Sequence, residues 1–205
     1  MTSIPISDLV YNDDGYIEVD KNGNVAVKDD YMDDIYLGSV FPKYNLAWRN
    51  DFNYKGINLG VLFTARIGGI CYSATQANMD LYGVSEASAA ARDAGGVMIN
   101  GRDMIDAQKW YQVIGSQSGL PQYYTYSATN VRLQELSLGY TLPSKWFRDK
   151  MRMTVSFVGR NLWMIYCKAP FDPEAVASTG MNYQGIDYFM MPSMRNLGFN
   201  VKFQF

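Results

Sequence analysis

Apolar and polar residues alternate without a break along 195–205: Leu197, Phe199, Val201, Phe203 and Phe205 fall on one side, and Asn196, Gly198, Asn200, Lys202 and Gln204 on the other. Successive side chains of a strand point to opposite faces, so this stretch is a strand between two different surroundings. The pattern recurs upstream. Tyr44, Leu46, Trp48, Phe52 and Tyr54 alternate with Asn45, Ala47, Arg49, Asp51 and Asn53, with Asn50 intruding on the apolar side. After Lys55-Gly56, the residues Ile57, Leu59, Val61, Phe63, Ala65 and Ile67 repeat it against Asn58, Gly60, Leu62, Thr64 and Arg66. A third strand, Val131 to Leu142, carries Leu136, Leu138, Tyr140 and Leu142 on one face, whereas Val131 and Leu133 are out of phase. That phase change predicts a bulge near Gln134-Glu135. A fourth, Met151 to Trp163, sets Met151, Met153, Val155 and Phe157 against Arg152, Thr154, Ser156, Val158 and Arg160.

Length decides what such strands are for. About ten alternating residues is what a tilted strand needs to cross a bilayer, whereas soluble strands usually stop at about five or six. Between the strands, Lys55-Gly56 and the connection from Pro143 to Asp149 are short and lie on one side, while 69–130 and 164–194 are long and lie on the other. Outer-membrane barrels have that asymmetry, with short periplasmic turns and long extracellular loops. Arg49, Asp51, Arg66, Arg152, Arg160 and Lys202 all fall on polar faces, and a lipid-facing Arg or Lys at mid-membrane would cost about 2–4 kcal/mol.

The expected fold is therefore all-β: an antiparallel transmembrane β-barrel segment of about five long strands within 44–205, with long extracellular loops carrying short helices. Five strands cannot close a bacterial barrel, and an open edge in lipid leaves backbone groups unpaired, so the barrel is incomplete. The last strand should lie beside the Met151–Trp163 strand, and its other edge should take a strand that this chain does not contain. Residues 1–43 read as an extracellular loop segment with a short hairpin, Ile17 and Val19 facing Val25 and Val27 across Asn22-Gly23. Helices are expected at Ser85 to Ala94 and from about Asp103 to Val113.

Composition narrows the function. The 205 residues are 48% hydrophobic and 15% aromatic, which suits a membrane-interface protein as well as an aromatic-rich sandwich. A net charge of −2 without a basic run gives no footprint for nucleic acid. Histidine is absent, which removes the commonest general base and metal ligand. No apolar run suits a transmembrane helix, and residues 1–6 carry none of the features of a secretory leader.

Few residues suggest site chemistry. Glu18, Asp20, Asn22 and Asp29 imitate a calcium loop, but Glu stands first and Asp last, the reverse of what that loop needs; a hairpin turn is the plainer reading, and no metal or other cofactor is expected. Asp29, Asp30, Asp33 and Asp34 read as a solvated acidic loop. Asp172 and Glu174 could pose as paired glycosidase carboxylates, yet their spacing around Pro173 fits a turn, and no catalytic residue is assigned. Cys71 and Cys167 share the external side, where a disulfide is chemically allowed, but a strand intervenes and two thiols are expected. Trp110, Tyr111, Tyr123 and Tyr124 in one external loop, with Tyr183 and Tyr188 in another, are the candidates for ligand contact, with loop packing or an interface girdle as the alternatives.

Asn130-Val131-Arg132-Leu133-Gln134-Glu135-Leu136-Ser137-Leu138-Gly139-Tyr140-Thr141-Leu142-Pro143 resembles the penultimate hairpin of the SusC/RagA family of TonB-dependent outer-membrane transporters. Val158-Gly159-Arg160-Asn161-Leu162-Trp163, Phe171-Asp172-Pro173-Glu174, Asn182-Tyr183-Gln184-Gly185-Ile186-Asp187-Tyr188 and the terminal aromatic strand follow in that family's order. Upstream, Leu37 to Pro42 leading to Asp51 to Gly56 looks like its preceding hairpin, so the resemblance runs from about residue 37 onward. It implies the C-terminal part of a large barrel with an internal plug, in the outer membrane of a Gram-negative bacterium. Such a barrel takes up oligosaccharides or peptides with a SusD-like lipoprotein lid and energy from the TonB complex. It also implies that Phe203 and Phe205 form the aromatic end read by barrel-assembly machinery. The alternatives are a soluble β-rich binding or surface-adhesion module, whose alternating faces pack as a sandwich, and a carbohydrate-active enzyme using Asp172 and Glu174.

Overall fold

The computed structural model describes residues 2–5, 8–13, 17–18, 25–28, 34–98, 104–116, 119–148, 150–175, 177, 180 and 183–204. The Asn22-Gly23 turn, Asp20, Asp29, Asp30, Asp33, Asp103, Asn182 and Phe205 lie outside the described residues. The chain divides into two compact units.

The unit formed by 41–69, 127–175 and 191–205 is a sheet. Its strands are β1 (Tyr44–Tyr54), β2 (Ile57–Ile67), β3 (Asn130–Thr141), β4 (Arg152–Cys167) and β5 (Asn196–Gln204). They pair antiparallel in the order β5-β4-β3-β2-β1, so each strand neighbours the next in sequence. The last strand thus lies beside the fourth, with Arg152 opposite Gln204 and Arg160 opposite Asn196. Among the described residues the outer edges of β1 and β5 pair with no other strand of this sheet, and the barrel is incomplete.

The hairpin at Lys55-Gly56 turns as the sequence predicts. Both residues have positive φ, 48° and 89°, the backbone of a type I′ turn whose twist matches the flanking strands. The expected bulge is also present. Leu62 pairs with Glu135 and Phe63 with Leu133, so Gln134 is the extra residue, and it returns Val131 and Leu133 to the apolar face. On the other side Arg160 pairs with Glu135 and Trp163 with Leu133. The irregularity there includes Asn161, held at φ 52°.

The register gathers apolar residues into continuous rows. Phe52, Leu59, Leu138, Phe157 and Phe199 cross all five strands in one row. Trp48 stacks on Phe63 at 5.7 Å, and Phe157 meets Phe199 edge-on at 5.5 Å. Among the described residues nothing covers this face: Trp48 is 63% exposed, Leu138 55% and Phe199 81%. The eleven residues of β1 and of β2, at about 3.3 Å each and tilted by about 45°, span about 25 Å, the height of the apolar band of a membrane barrel.

The unit formed by 1–40, 70–126 and 176–190 has the buried core, built from Leu9, Ile17, Val25, Ala77, Ile105, Trp110, Ile114, Leu120 and Tyr124. Its helices are α1 (Ala74–Leu81), α2 (Glu86–Asp93) and α3 (Ala107–Ile114). Each is capped by the residue before it: the side chains of Ser73, Ser85 and Asp106 accept from the backbone N–H of Gln76, Ser88 and Lys109. The second helix matches the sequence expectation, and the third begins at Ala107, behind the Asp106 cap. Near the N-terminus, Ala26 N donates to Glu18 O at 2.9 Å, but the bridges differ from the expected hairpin, Ile17 lying opposite Tyr11 and Val27 opposite Leu9. Among the described residues no helix is long and apolar enough to cross a membrane.

Candidate functional site

In the sheet, the polar face carries an ordered charge pattern. Arg49, Leu62, Glu135, Arg160 and Asn196 form one cross-strand row. Arg160 Nε lies 3.0 Å from Glu135 Oε2, and Arg49 reaches the other oxygen at 3.7 Å while also pairing with Asp51 at 2.9 Å. Opposite charges alternate across strands, which avoids the cost of like charges directly opposed.

Farther along β3, Arg132 is one of the largest fully buried side chains of the molecule. Its guanidinium donates to Asn130 Oδ1 at 3.2 Å, Asn161 Oδ1 at 3.4 Å and Asp172 Oδ1 at 2.9 Å, and Glu174 stands 3.5 Å away. Asp172 also accepts from the Ser193 hydroxyl and from Glu174 N at 3.0 Å, while Asn161 donates to Ser193 O at 3.0 Å. Burial pushes the Asp172 carboxyl up, and the hydrogen bonds from Arg132, Ser193 and Glu174 outweigh it, leaving the group below the usual carboxylate range. Asp172 and Glu174 therefore serve to neutralise Arg132 and form the turn around Pro173. The three motifs around Arg132, Asn161 and Asp172 converge on this cluster, which ties β3 and β4 to the segment entering β5. Sequence reading did not single out Arg132, although its place on the polar face ahead of the bulge was visible.

In the other unit, Trp110, Tyr111, Tyr123 and Tyr124 come together, with Gln76 and Asp80 of α1, around a recess of about 350 Å³. Trp110 and Tyr124 belong to the core, with 4% and 1% of their surface exposed, and Tyr123 meets Trp110 edge-on at 5.3 Å. Burial pushes the Tyr123 hydroxyl up to about 12. Burial, then the Asp80 carboxylate, raise Tyr111 and Tyr124 above the ordinary phenol range. Asp80 is 3% exposed and accepts from the Ser85 hydroxyl. It also borders a neighbouring recess of about 330 Å³ with Tyr111 and Arg92, whose Nη1 donates to Gly83 O at 2.9 Å. Tyr183 and Tyr188 lie on the surface, and Tyr188 packs edge-on against Phe189. Asp80 carried no sequence signal, since a lone acid in a polar helix is ordinary.

Cys71 and Cys167 are thiols. The Cys71 Sγ donates to Tyr126 O at 3.6 Å and the Cys167 Sγ to Ala169 O at 3.5 Å. Among the described residues no cluster of His, Cys, Asp and Glu could hold a metal ion. Phe203 lies on the exposed apolar face of β5, opposite Met153.

No protein-family model matches the chain. It is 25% identical over 198 residues to TonB-dependent receptor P3 of Formosa agariphila, across 92% of this chain and 19% of that receptor. Among solved structures, the RagAB peptide transporter superposes with a TM-score of 0.59 at 18% identity, covering 92% of this chain and 21% of that one. The RagAB peptide importer in the closed-closed state gives 0.57 at 19% identity, covering 92% and 20%. The chain spans about a fifth of the length of these relatives. Sequence and fold are thus similar to TonB-dependent receptors of the SusC/RagA type, and the open sheet matches part of a barrel of that kind. The similar proteins carry the names of receptors and transporters, not of enzymes.

Proposed function

We propose that this chain is the C-terminal portion of an outer-membrane TonB-dependent transporter for oligosaccharides or peptides. The observation that carries the proposal is the uncovered apolar face running across all five strands. In water, an exposed apolar patch of this extent is an aggregation hazard, whereas in lipid it is the surface that lowers the energy. A sandwich would have buried it, so the soluble module is disfavoured.

In this reading the polar face looks into the barrel toward a plug domain, and the free edges of β1 and β5 pair with the rest of the barrel. The 55–56 turn lies in the periplasm and the long connections lie outside the cell, with Tyr111, Tyr123, Tyr183 and Tyr188 as the aromatic residues left to meet the ligand. A SusD-like lipoprotein would cover that side, the TonB complex would supply energy to the part of the transporter beyond this chain, and Phe203 and Phe205 would form the assembly signal.

A heat-modifiability gel on membrane fractions tests the proposal. The gene product containing this chain should sediment with outer membranes and migrate faster unheated than boiled. Wholly soluble partition would sink the barrel reading.

A further inference from the structure

We infer that the recess beside α1 is a binding site for a primary ammonium group, with Asp80 as its recognition element. The inference rests on the reading of this unit as ligand-facing and adds the chemical group that it takes.

Asp80 is buried, and among the described residues no Lys or Arg forms an ion pair with it. It accepts from the neutral Ser85 hydroxyl, and the neutral Tyr124 hydroxyl also lies against it. A buried carboxylate without a cation is costly, and the cost falls when a positive charge arrives. Around the carboxylate the recess carries neutral hydroxyls, each of which can accept as well as donate. The Tyr111, Tyr123 and Tyr124 oxygens join the carboxylate at the recess, while the Gln76 amide oxygen is already taken by the Tyr126 hydroxyl. An ammonium group brings three donors and a positive charge, so it can bond the carboxylate and the phenol oxygens together.

A sugar ring fits less well. Stacking needs an open aromatic face, and the buried rings of Trp110 and Tyr124 offer none, while Tyr123 is turned edge-on to Trp110. At about 350 Å³, the recess is at the small end of the range for ligand pockets, about 300–1,000 Å³. It suits the amine end of a ligand.

The test is calorimetric titration of the full chain, folded in detergent, with benzylamine and with benzyl alcohol as its neutral isostere. Benzylamine should bind at least about tenfold more tightly, a difference of about 1.4 kcal/mol. Asp80→Asn should abolish that preference with an unchanged near-ultraviolet circular dichroism spectrum. Equal binding of the two probes by the unaltered chain overturns the inference, and this comparison needs no variant. A preference that survives Asp80→Asn also overturns it. If maltotriose binds and benzylamine does not, the ammonium site is wrong while the ligand-facing reading stands. If neither binds, the ammonium inference fails, and heat-modifiability then reports separately on the barrel.

Discussion

Arg132 and Asp172 meet at 2.9 Å with both side chains almost wholly out of solvent, at 2% and 8% exposure. Forty positions separate them in the chain, and their pairing fixes the path of the segment between β4 and β5. Removing one member of a buried pair leaves the other charge uncompensated, which costs about 3–5 kcal/mol. Glu174 at 3.5 Å offsets part of this. Asp172→Ala should therefore lower unfolding stability by about 3 kcal/mol, measured by urea titration of the detergent-folded chain. A loss under about 1 kcal/mol, the level of an exposed pair, would refute a structural role for the cluster.

The same pair sets an acid dependence. The Asp172 carboxyl is held below its ordinary value of 3.8 in the folded chain. A depressed folded value means that its contribution is fully present above the unfolded value and is lost as pH falls through the folded one. Stability should fall as pH drops from about 5 through the acid range, more steeply for the unaltered chain than for Asp172→Asn. Parallel pH profiles for the two would show that Asp172 is not the group responsible.

Phe199 and Asn200 are neighbours in sequence and opposites in surroundings. Phe199 sits in the mid-height apolar row, and Asn200 pairs with Ser156 on the polar face. If lipid covers the apolar face, Phe199→Arg should cost about 2–4 kcal/mol of folding stability in vesicles, against about 0–1 for Asn200→Arg. Equal costs would mean that the two faces meet the same medium.

Arg160 and Glu135 are also paired, at 3.0 Å, but the Arg160 side chain is 65% exposed. Exposed ion pairs contribute about 0.2–1 kcal/mol. Arg160→Ala should therefore change stability by less than about 1 kcal/mol in urea titrations where Asp172→Ala is plainly destabilising. A larger loss would indicate that the row is shielded from solvent by something packed on it.

The strands were legible because a sheet with unlike media on its two faces writes a period of two into the sequence, and the bulge at Gln134 was legible as a slip in that period. The second helix could be read from its Ser85 cap and alanine run. The first could not: Ala74-Thr-Gln-Ala-Asn-Met-Asp-Leu81 follows directly on the Ile70–Ser73 strand and has little amphipathic contrast. The recess was only half visible. Its aromatics stood out as surface candidates, yet the structure uses Trp110 and Tyr124 as core, and Asp80 joins them through tertiary packing that no local spacing encodes. Arg132 was hidden for the same reason, since its partners at 161, 172 and 174 approach it only after β3 and β4 pair.

The 55–56 turn provides the last test, because its backbone demands a residue that tolerates positive φ. Gly56 lies at φ 89°, and a Cβ there would stand 2.9 Å from Thr141 O. Its own carbonyl accepts from Thr141 N at 2.7 Å, tying the turn to the end of β3. The left-handed conformation costs an L-residue about 1–2 kcal/mol, and the close carbonyl adds to it. Gly56→Ala should therefore destabilise the detergent-folded chain by about 2 kcal/mol. Lys55, at φ 48°, already bears the strain of a side chain in that region. Lys55→Asn should be neutral or stabilising by a few tenths of a kcal/mol, since Asn favours this turn position. Urea midpoints of the two variants decide it: if Gly56→Ala is tolerated as well as Lys55→Asn, the turn is not type I′ in solution.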